Sequence, residues 1–348
     1  MTTAELSAIA LPRPRVRPAW WVLAGAVLGA AFLAGVLIGP VALRPSTVVR
    51  GLAGALPFVD GGLTVREEAI LLQIRLPRVV LAAVVGAMLA VAGGAYQGAF
   101  RNPLADPYLL GAAAGAGLGA TMAIAYLPGS RNLVPVAAFV GALVAVAIAY
   151  AFGRSSTGRN ATTLILAGVA VASFLTAIQT YVQQRESETL REVYSWILGR
   201  LSTAGWREVV IALPYVVVSS AVILVHRRML DVLSVGDDEA SSLGLHARRV
   251  RLVVVVAASL GTAAAVSVSG LIGFVGIIVP HTVRLIAGTS YRRILPLSLA
   301  FGAAFMILAD LLSRTVAAPA EIPIGVVTAF FGAPFFAIAL RTTRRMIQ

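Results

Sequence analysis

The sequence contains no lysine and no cysteine. The missing lysine amine excludes a Schiff-base cofactor and a Walker-type phosphate loop, which needs its Lys. The missing cysteine excludes disulfides, thiolate metal sites and a Cys nucleophile. Charge is scarce as well: 12% of the 348 residues are charged, with 15 acids and three histidines. No two histidines stand at the i, i+4 spacing of a helical zinc site, and three do not suggest a haem centre. A soluble domain carries roughly 25% charged and about 45–50% apolar residues. Here the apolar share is 59% and the mean hydropathy is +0.89. Too few polar side chains exist to cover a water-facing surface.

What is present is arginine. All 28 basic residues are Arg, and the net charge is +13. A basic balance raises nucleic acid as a partner. These Arg stand between long apolar runs, however, so orientation in a lipid bilayer explains them and no nucleic-acid partner is expected.

A membrane helix needs about 20 apolar residues. Such runs are Ala19–Leu43, with Trp20 and Trp21 as interface anchors, then Val79–Phe100, Pro107–Ser130, Asn132–Gly153, Asn160–Gln184 and the shorter Val209–Val225. Leu252–Val283 holds no Asp, Glu or Arg over 32 residues. As one helix it would be about 48 Å long at about 1.5 Å per residue, against a hydrocarbon core of about 30 Å. It is expected to break at Ser267-Val268-Ser269-Gly270. Ile294–Ala309 and Ile322–Leu340 complete ten spans. Alternating sides then places seventeen Arg, among them Arg13, Arg15, Arg17, Arg101, Arg154, Arg159, Arg251 and Arg341, with the two termini. Eleven lie opposite. Excess Arg marks the cytoplasm. The expected fold is an all-α integral membrane protein of about ten transmembrane helices with both termini cytoplasmic. Its parts are a cytoplasmic segment over 1–18, one transmembrane domain over 19–340 with a cytoplasmic loop over 226–251, and a tail over 341–348.

Several polar and small-residue features stand out. Gly111, Gly115 and Gly119 recur at four-residue spacing, which suits close helix packing or the smooth wall of a transport path. In Asn102-Pro103-Leu104-Ala105-Asp106-Pro107 the prolines force a defined connection; Pro107 suits a first helical turn with Asp106 as its cap. Gly236–Leu245 places Asp237, Asp238 and Glu239 ahead of a helical stretch and Gly244 after it. It reads as a short helix outside the membrane, capped by its acids and stopped by Gly244. Arg75 and Arg78 flank Pro77 as a fixed outer positive patch, and Arg314 lies at the outer end of its own span; electrostatic docking of an acidic partner or lipid headgroup contact would explain them. His281, Asp310 and Glu321 are ionisable groups in or near apolar runs. His281 and Glu321 suit structural caps.

Taken together, Arg75–Arg78, Asn102–Pro107, Leu110-Gly111, Leu166-Ala167-Gly168, Ser195-Trp196 with Gly199, Gly236–Leu245, Ser269–Gly276, Val279-Pro280-His281 with Arg284, and Glu321–Thr328 with Gly332-Ala333-Pro334 resemble the permease subunits of iron–siderophore, haem and vitamin B12 ABC importers. The match runs from about residue 65 to 340. The resemblance implies a pair of permeases, two copies or this chain with a paralogue. It also implies two ABC ATPase subunits that carry ATP and Mg, and an extracytoplasmic substrate-binding protein. The chain itself would be no enzyme and bind no cofactor or metal. Arg75, Arg78 and Arg314 match residues that dock the binding protein. Asp238, Glu239, Ala240, Leu243 and Gly244 match the coupling helix seated on the ATPase. Asn102, Leu104 and Thr162 match the cytoplasmic gate, with Gly111 and Gly115 along the path, while Pro280, His281, Glu321, Pro323 and Gly325 belong to structural motifs. The expected cargo is an iron–siderophore or related chelate, with cobalamin or haem as alternatives, and the expected location is a bacterial or archaeal cytoplasmic membrane. The absent phosphate loop agrees with an ATP-binding engine on another chain. An ion-coupled secondary transporter is the rival reading; it would need acids near the membrane centre.

Overall fold

The computed structural model describes residues 18–41, 43–54, 62–130, 132–155, 161–202 and 205–345. Arg13, Arg15, Arg17, Arg131, Arg159 and tail residues 346–348 lie outside them. The described residues form no strand, one short 3₁₀ turn over Ser187–Thr189 and fourteen helices. They are α1 Pro18–Leu37, α2 Pro45–Ala53, α3 Val65–Phe100, α4 Ala112–Tyr126, α5 Leu133–Ser155, α6 Ala161–Arg185 and α7 Leu190–Ile197. Then follow α8 Trp206–Val225, α9 Arg227–Leu233, α10 Asp237–Ser242, α11 Ala247–Ser269, α12 Val275–Ala287, α13 Tyr291–Thr315 and α14 Ile324–Arg345. Seven are long and apolar enough to cross a bilayer. Three shorter apolar helices, α4, α12 and α14 over Ile324–Ile338, coincide with the other expected spans.

The bundle is built around α3, which packs on α8, α11, α12 and α13. Its first turn is fixed by a capping box. The Thr64 hydroxyl accepts from the Glu67 amide at 3.3 Å, and the Glu67 carboxylate accepts from the Thr64 amide at 3.0 Å. A π-helical stretch over Ala69–Arg75 follows. The helix therefore begins fourteen residues before the expected Val79, because Arg66, Glu67, Glu68, Arg75 and Arg78 interrupt the apolar signal without interrupting the helix. A Cβ at Gly93 would come within 1.9 Å of the Gly276 carbonyl oxygen, so only glycine permits the α3–α12 approach.

The long apolar run breaks as expected. α11 ends at Ser269, Gly270 takes φ +71°, and α12 starts at Val275. Backbone groups exposed by such a break must be satisfied inside a membrane. A strap from residues 198–200 helps to do so. The Arg200 amide donates to the Ser269 carbonyl at 2.9 Å; Gly199 and Leu198 carbonyls accept from Ile324 and Gly325 amides at 3.3 and 3.0 Å.

The start of α4 differs from expectation. Asp106 does not cap a helix at Pro107. Its Oδ1 accepts from the Tyr108 amide at 2.8 Å, which turns the chain, and α4 begins only at Ala112 after Gly111 with φ +81°. The Tyr108 hydroxyl donates to the Ile272 carbonyl at 2.9 Å and accepts from the Ile272 amide at 3.2 Å. The connector over 101–111 is thus fastened to the α11–α12 break.

Candidate functional site

Two polar assemblies lie at opposite ends of the bundle. The first joins the C-terminal end of α1, the first half of α3, the end of α13 and the turn before α14. Arg78 Nε donates to Asp310 at 2.9 Å, and its Nη1 and Nη2 donate to the two Glu321 oxygens at 2.7 and 3.0 Å. Arg314 Nε faces the other Asp310 oxygen at 3.4 Å, and its Nη2 donates to the Gly35 carbonyl. Arg75 donates to Val36 and Leu37 carbonyls at 2.9 and 3.0 Å and to the Val41 carbonyl. These carbonyls belong to the last turn of α1 and the segment after it, where helical partners run out and the helix dipole favours a cation.

The structure brings Arg75, Arg78 and Arg314 to one end of the bundle, but buries them instead of presenting an outward positive patch. The three residues are only 3%, 7% and 2% exposed. Asp310, 1% exposed, and Glu321 supply two countercharges to three guanidinium groups. Burying a cation without such partners is costly, so pairing and burial come together. Glu321 is the outlier, with 35% of its side chain exposed. It does not cap α14 as expected; it clamps Arg78. Pro323 and Gly325 begin α14, where Pro323 accepts from Val326 at 3.0 Å and Gly325 lies against the Leu198 carbonyl.

The second assembly surrounds α10. Gly236, with φ +137°, turns the chain out of α9, and Gly244, with φ +78°, ends the helix, as its position predicts. Asp237 accepts from Arg251 Nη2 at 2.8 and 3.0 Å, with Arg101 at 3.7 Å. These Arg251 hydrogen bonds, aided by the charges of Arg251 and Arg101 and opposed by burial, hold the carboxyl below the usual carboxylate range. Arg251 Nε also donates to the Ala99 carbonyl at 2.8 Å, tying α10 and α11 to the end of α3. Asp238 and Glu239 are exposed, and Leu243 is 70% exposed. Ala240, within α10, is buried against the bundle. It is small because it is the contact on which the helix rests.

Behind α10 runs a polar chain that sequence reasoning did not find. Asp231 of α9 accepts from Ser290 Oγ at 2.8 Å and from the Tyr291 amide at 2.5 Å, capping α13. Arg284 of α12 donates to the Tyr291 hydroxyl at 3.4 Å and to Gln97 Oε1 at 3.0 Å. Gln97 Nε2 donates to the Gly276 carbonyl at 3.1 Å, at the start of α12. Polar residues in apolar helices were the available signal; their partners, far away in sequence, were not.

The expected gate residues stand on two segments of the chain. Asn102 Oδ1 accepts from the Leu104 amide at 3.0 Å in the connector, while Thr162 is exposed on the first turn of α6. Gly111 and Gly115 are buried. A Cβ on Gly115 would meet the Gly141 carbonyl at 2.2 Å, so Gly115 serves the α4–α5 contact, while Gly111 lies against α6. His281 is no cap either. It lies within α12 behind Pro280, with its ring edge-on to Phe335 of α14 at 5.7 Å.

Residues 27–342 match the model of the FecCD transport family. The chain belongs to that family. The cobalamin import permease BtuC of Halobacterium salinarum is 40% identical to it, over 93% of this chain and 96% of that one. The Fe(3+)-citrate import permease YfmD of Bacillus subtilis is 38% identical, over 81% and 84% of the two chains. A solved structure described as an inward-facing metal-chelate type ABC transporter superposes with a TM-score of 0.82 at 28% identity, covering 94% of this chain and all of that one. This FecCD family member is a multi-pass membrane permease of the ABC class.

Proposed function

We propose that the chain is the permease subunit of an importer for an iron–siderophore or related iron chelate, loaded by an extracytoplasmic binding protein and driven by a separate ATPase. The observation that carries the division of labour is α10. It is a six-residue helix held to the bundle by Asp237 and Ala240, and its other side offers Asp238, Glu239 and a 70% exposed Leu243. An exposed apolar side chain on a braced polar helix is a docking anchor for another protein. The ATPase would seat there, on the cytoplasmic side. ATP binding and release would move α10, and Arg251 and Asp231 would pass that motion to α3, α11 and α13.

A second permease copy is supported by α6 and α14. Almost none of α6 is buried by its own chain, and Phe330 and Phe331 of α14 are largely exposed. Two copies packed on these faces would enclose a central path, and Thr162 at the first turn of α6 suits a position beside its inner gate. Cobalamin is the second cargo reading, favoured by the relative that covers 93% of the chain. Leu243→Glu and Ser242→Pro should each detach the ATPase during co-purification from detergent. Full recovery of the ATPase with both variants would refute the seating on α10. Mass spectrometry of the ligand carried by the binding protein separates an iron chelate from cobalamin.

A further inference from the structure

The docking reading meets an obstacle at Arg78: the guanidinium is already bound by two carboxylates. These two are not equivalent. Asp310 lies inside α13, is 1% exposed and also faces Arg314, so it cannot leave without stranding two buried cations. Glu321 follows an exposed turn over 316–320 and keeps 35% of its side chain exposed. Its hydrogen bonds go to Arg78, through Nη1 and Nη2, the second of which also lies 2.9 Å from Asp310.

The backbone beside Glu321 is pinned independently of its side chain. The Ile322 amide donates to the Ser313 carbonyl at 2.9 Å, and Ser313 Oγ donates to the Ile322 carbonyl at 2.5 Å. Glu321 can therefore change rotamer without unfolding the turn. It also has somewhere to go. A cavity of about 110 Å³ is lined by Glu321, Ser313, Ser195, Ser202 and Arg200. Among the described residues, the side-chain hydrogen bond of Arg200 is a long one, from Nη1 to Ser195 Oγ at 3.4 Å. A second cation thus lines the same small cavity that the Glu321 side chain borders.

We infer that Glu321 is an exchangeable counter-ion. It occupies the bidentate face of Arg78 while the permease is undocked, and a carboxylate of the binding protein displaces it onto Arg200. This rests on the reading that an acidic binding protein docks at this end. Asp310 stays in place, so Arg78 is never bare during the exchange. The arrangement calls for a bidentate acceptor from the partner, and among protein side chains that is a carboxylate. It also keeps the vacant permease from offering an uncompensated guanidinium to lipid phosphates. Part of the gross docking energy is spent on displacing Glu321, which keeps the partner releasable.

The test uses the complete permease–ATPase complex in nanodiscs and, as probe, the binding protein that stimulates its ATP hydrolysis, with the dissociation constant measured at low and at physiological salt. Glu321→Gln keeps the shape and removes the competitor, so the account predicts about tenfold tighter docking, about 1.4 kcal/mol. Glu321→Asp, one methylene shorter and so a weaker competitor for Arg78, should tighten it less. Arg200→Gln should weaken docking in the native background and have no effect beside Glu321→Gln, because no displaced carboxylate then needs a cation. Unchanged or weaker docking by both Glu321 variants would overturn the exchange, as would an Arg200 effect that persists beside Glu321→Gln. Salt separates this from the parent reading. Affinity that does not fall with ionic strength would refute electrostatic docking itself, whereas salt-sensitive affinity indifferent to Glu321 would refute the exchange alone.

Discussion

At the scale of single residues, buried arginine is the organising feature. Arg75 replaces the hydrogen bonds that the end of α1 lacks, and Arg78 and Arg314 share Asp310. Removing one member of a buried pair costs about 3–5 kcal/mol, because its partner is left charged and dry. Asp310→Ala should therefore lower the thermal midpoint of the detergent-solubilised protein sharply, while Glu321→Gln, at a partly exposed side chain, should shift it little. Similar shifts for the two would contradict their division into fixed and exchangeable counter-ions. Asp237 makes a pH prediction. Its carboxyl is held below the ordinary value of about 3.9, so its stabilising pair is fully present above that value and is lost as pH falls through the lower folded one. Hydrogen-exchange protection of α10, corrected for the intrinsic rate, should stay level from pH 8 to 5 and collapse only in stronger acid. Asp237→Asn should remove that acid limb. A collapse near pH 6 would show that another group holds the helix.

At the scale of elements, breaks carry the architecture. The break after Ser269 was legible in the sequence, since an uncharged run of 32 residues outlasts the bilayer and contains a glycine after two serines. The start of α4 was not, because Pro107 and Asp106 suit a helix start as well as they suit the Asx turn that forms. Nor were the salt bridges, since Arg78 and Asp310 stand 232 residues apart and only the i, i+4 spacing of Asp310 and Arg314 hints at a buried group. Tyr108 joins the two irregular segments through Ile272. Tyr108→Phe leaves a buried carbonyl and a buried amide unpaired, at about 1–3 kcal/mol. It should raise hydrogen exchange at 271–276 while leaving the middle of α3 protected. Unchanged exchange there would mean that the connector merely lies beside the break.

At the scale of the whole molecule, the ten apolar segments and their order could be read from hydropathy, because lipid demands long helices whatever they pack against. What hydropathy cannot supply is which helix is central. α3 takes that place through glycines that let α12 and α13 approach its backbone. The orientation inferred from the Arg bias places α10 in the cytoplasm. The native chain has no cysteine, so Ser242→Cys on exposed α10 gives a single reporter. It should react with a membrane-impermeant maleimide only in inside-out vesicles; reaction in right-side-out vesicles would reverse the topology. The most direct measurement of the central claim is radiolabelled iron-chelate uptake into proteoliposomes. These hold the chain with its ATPase, with ATP inside and the loaded binding protein outside. The account predicts uptake that needs ATP and the binding protein and is indifferent to proton or sodium gradients. Uptake by the chain alone on such a gradient, without ATPase or ATP, would contradict it.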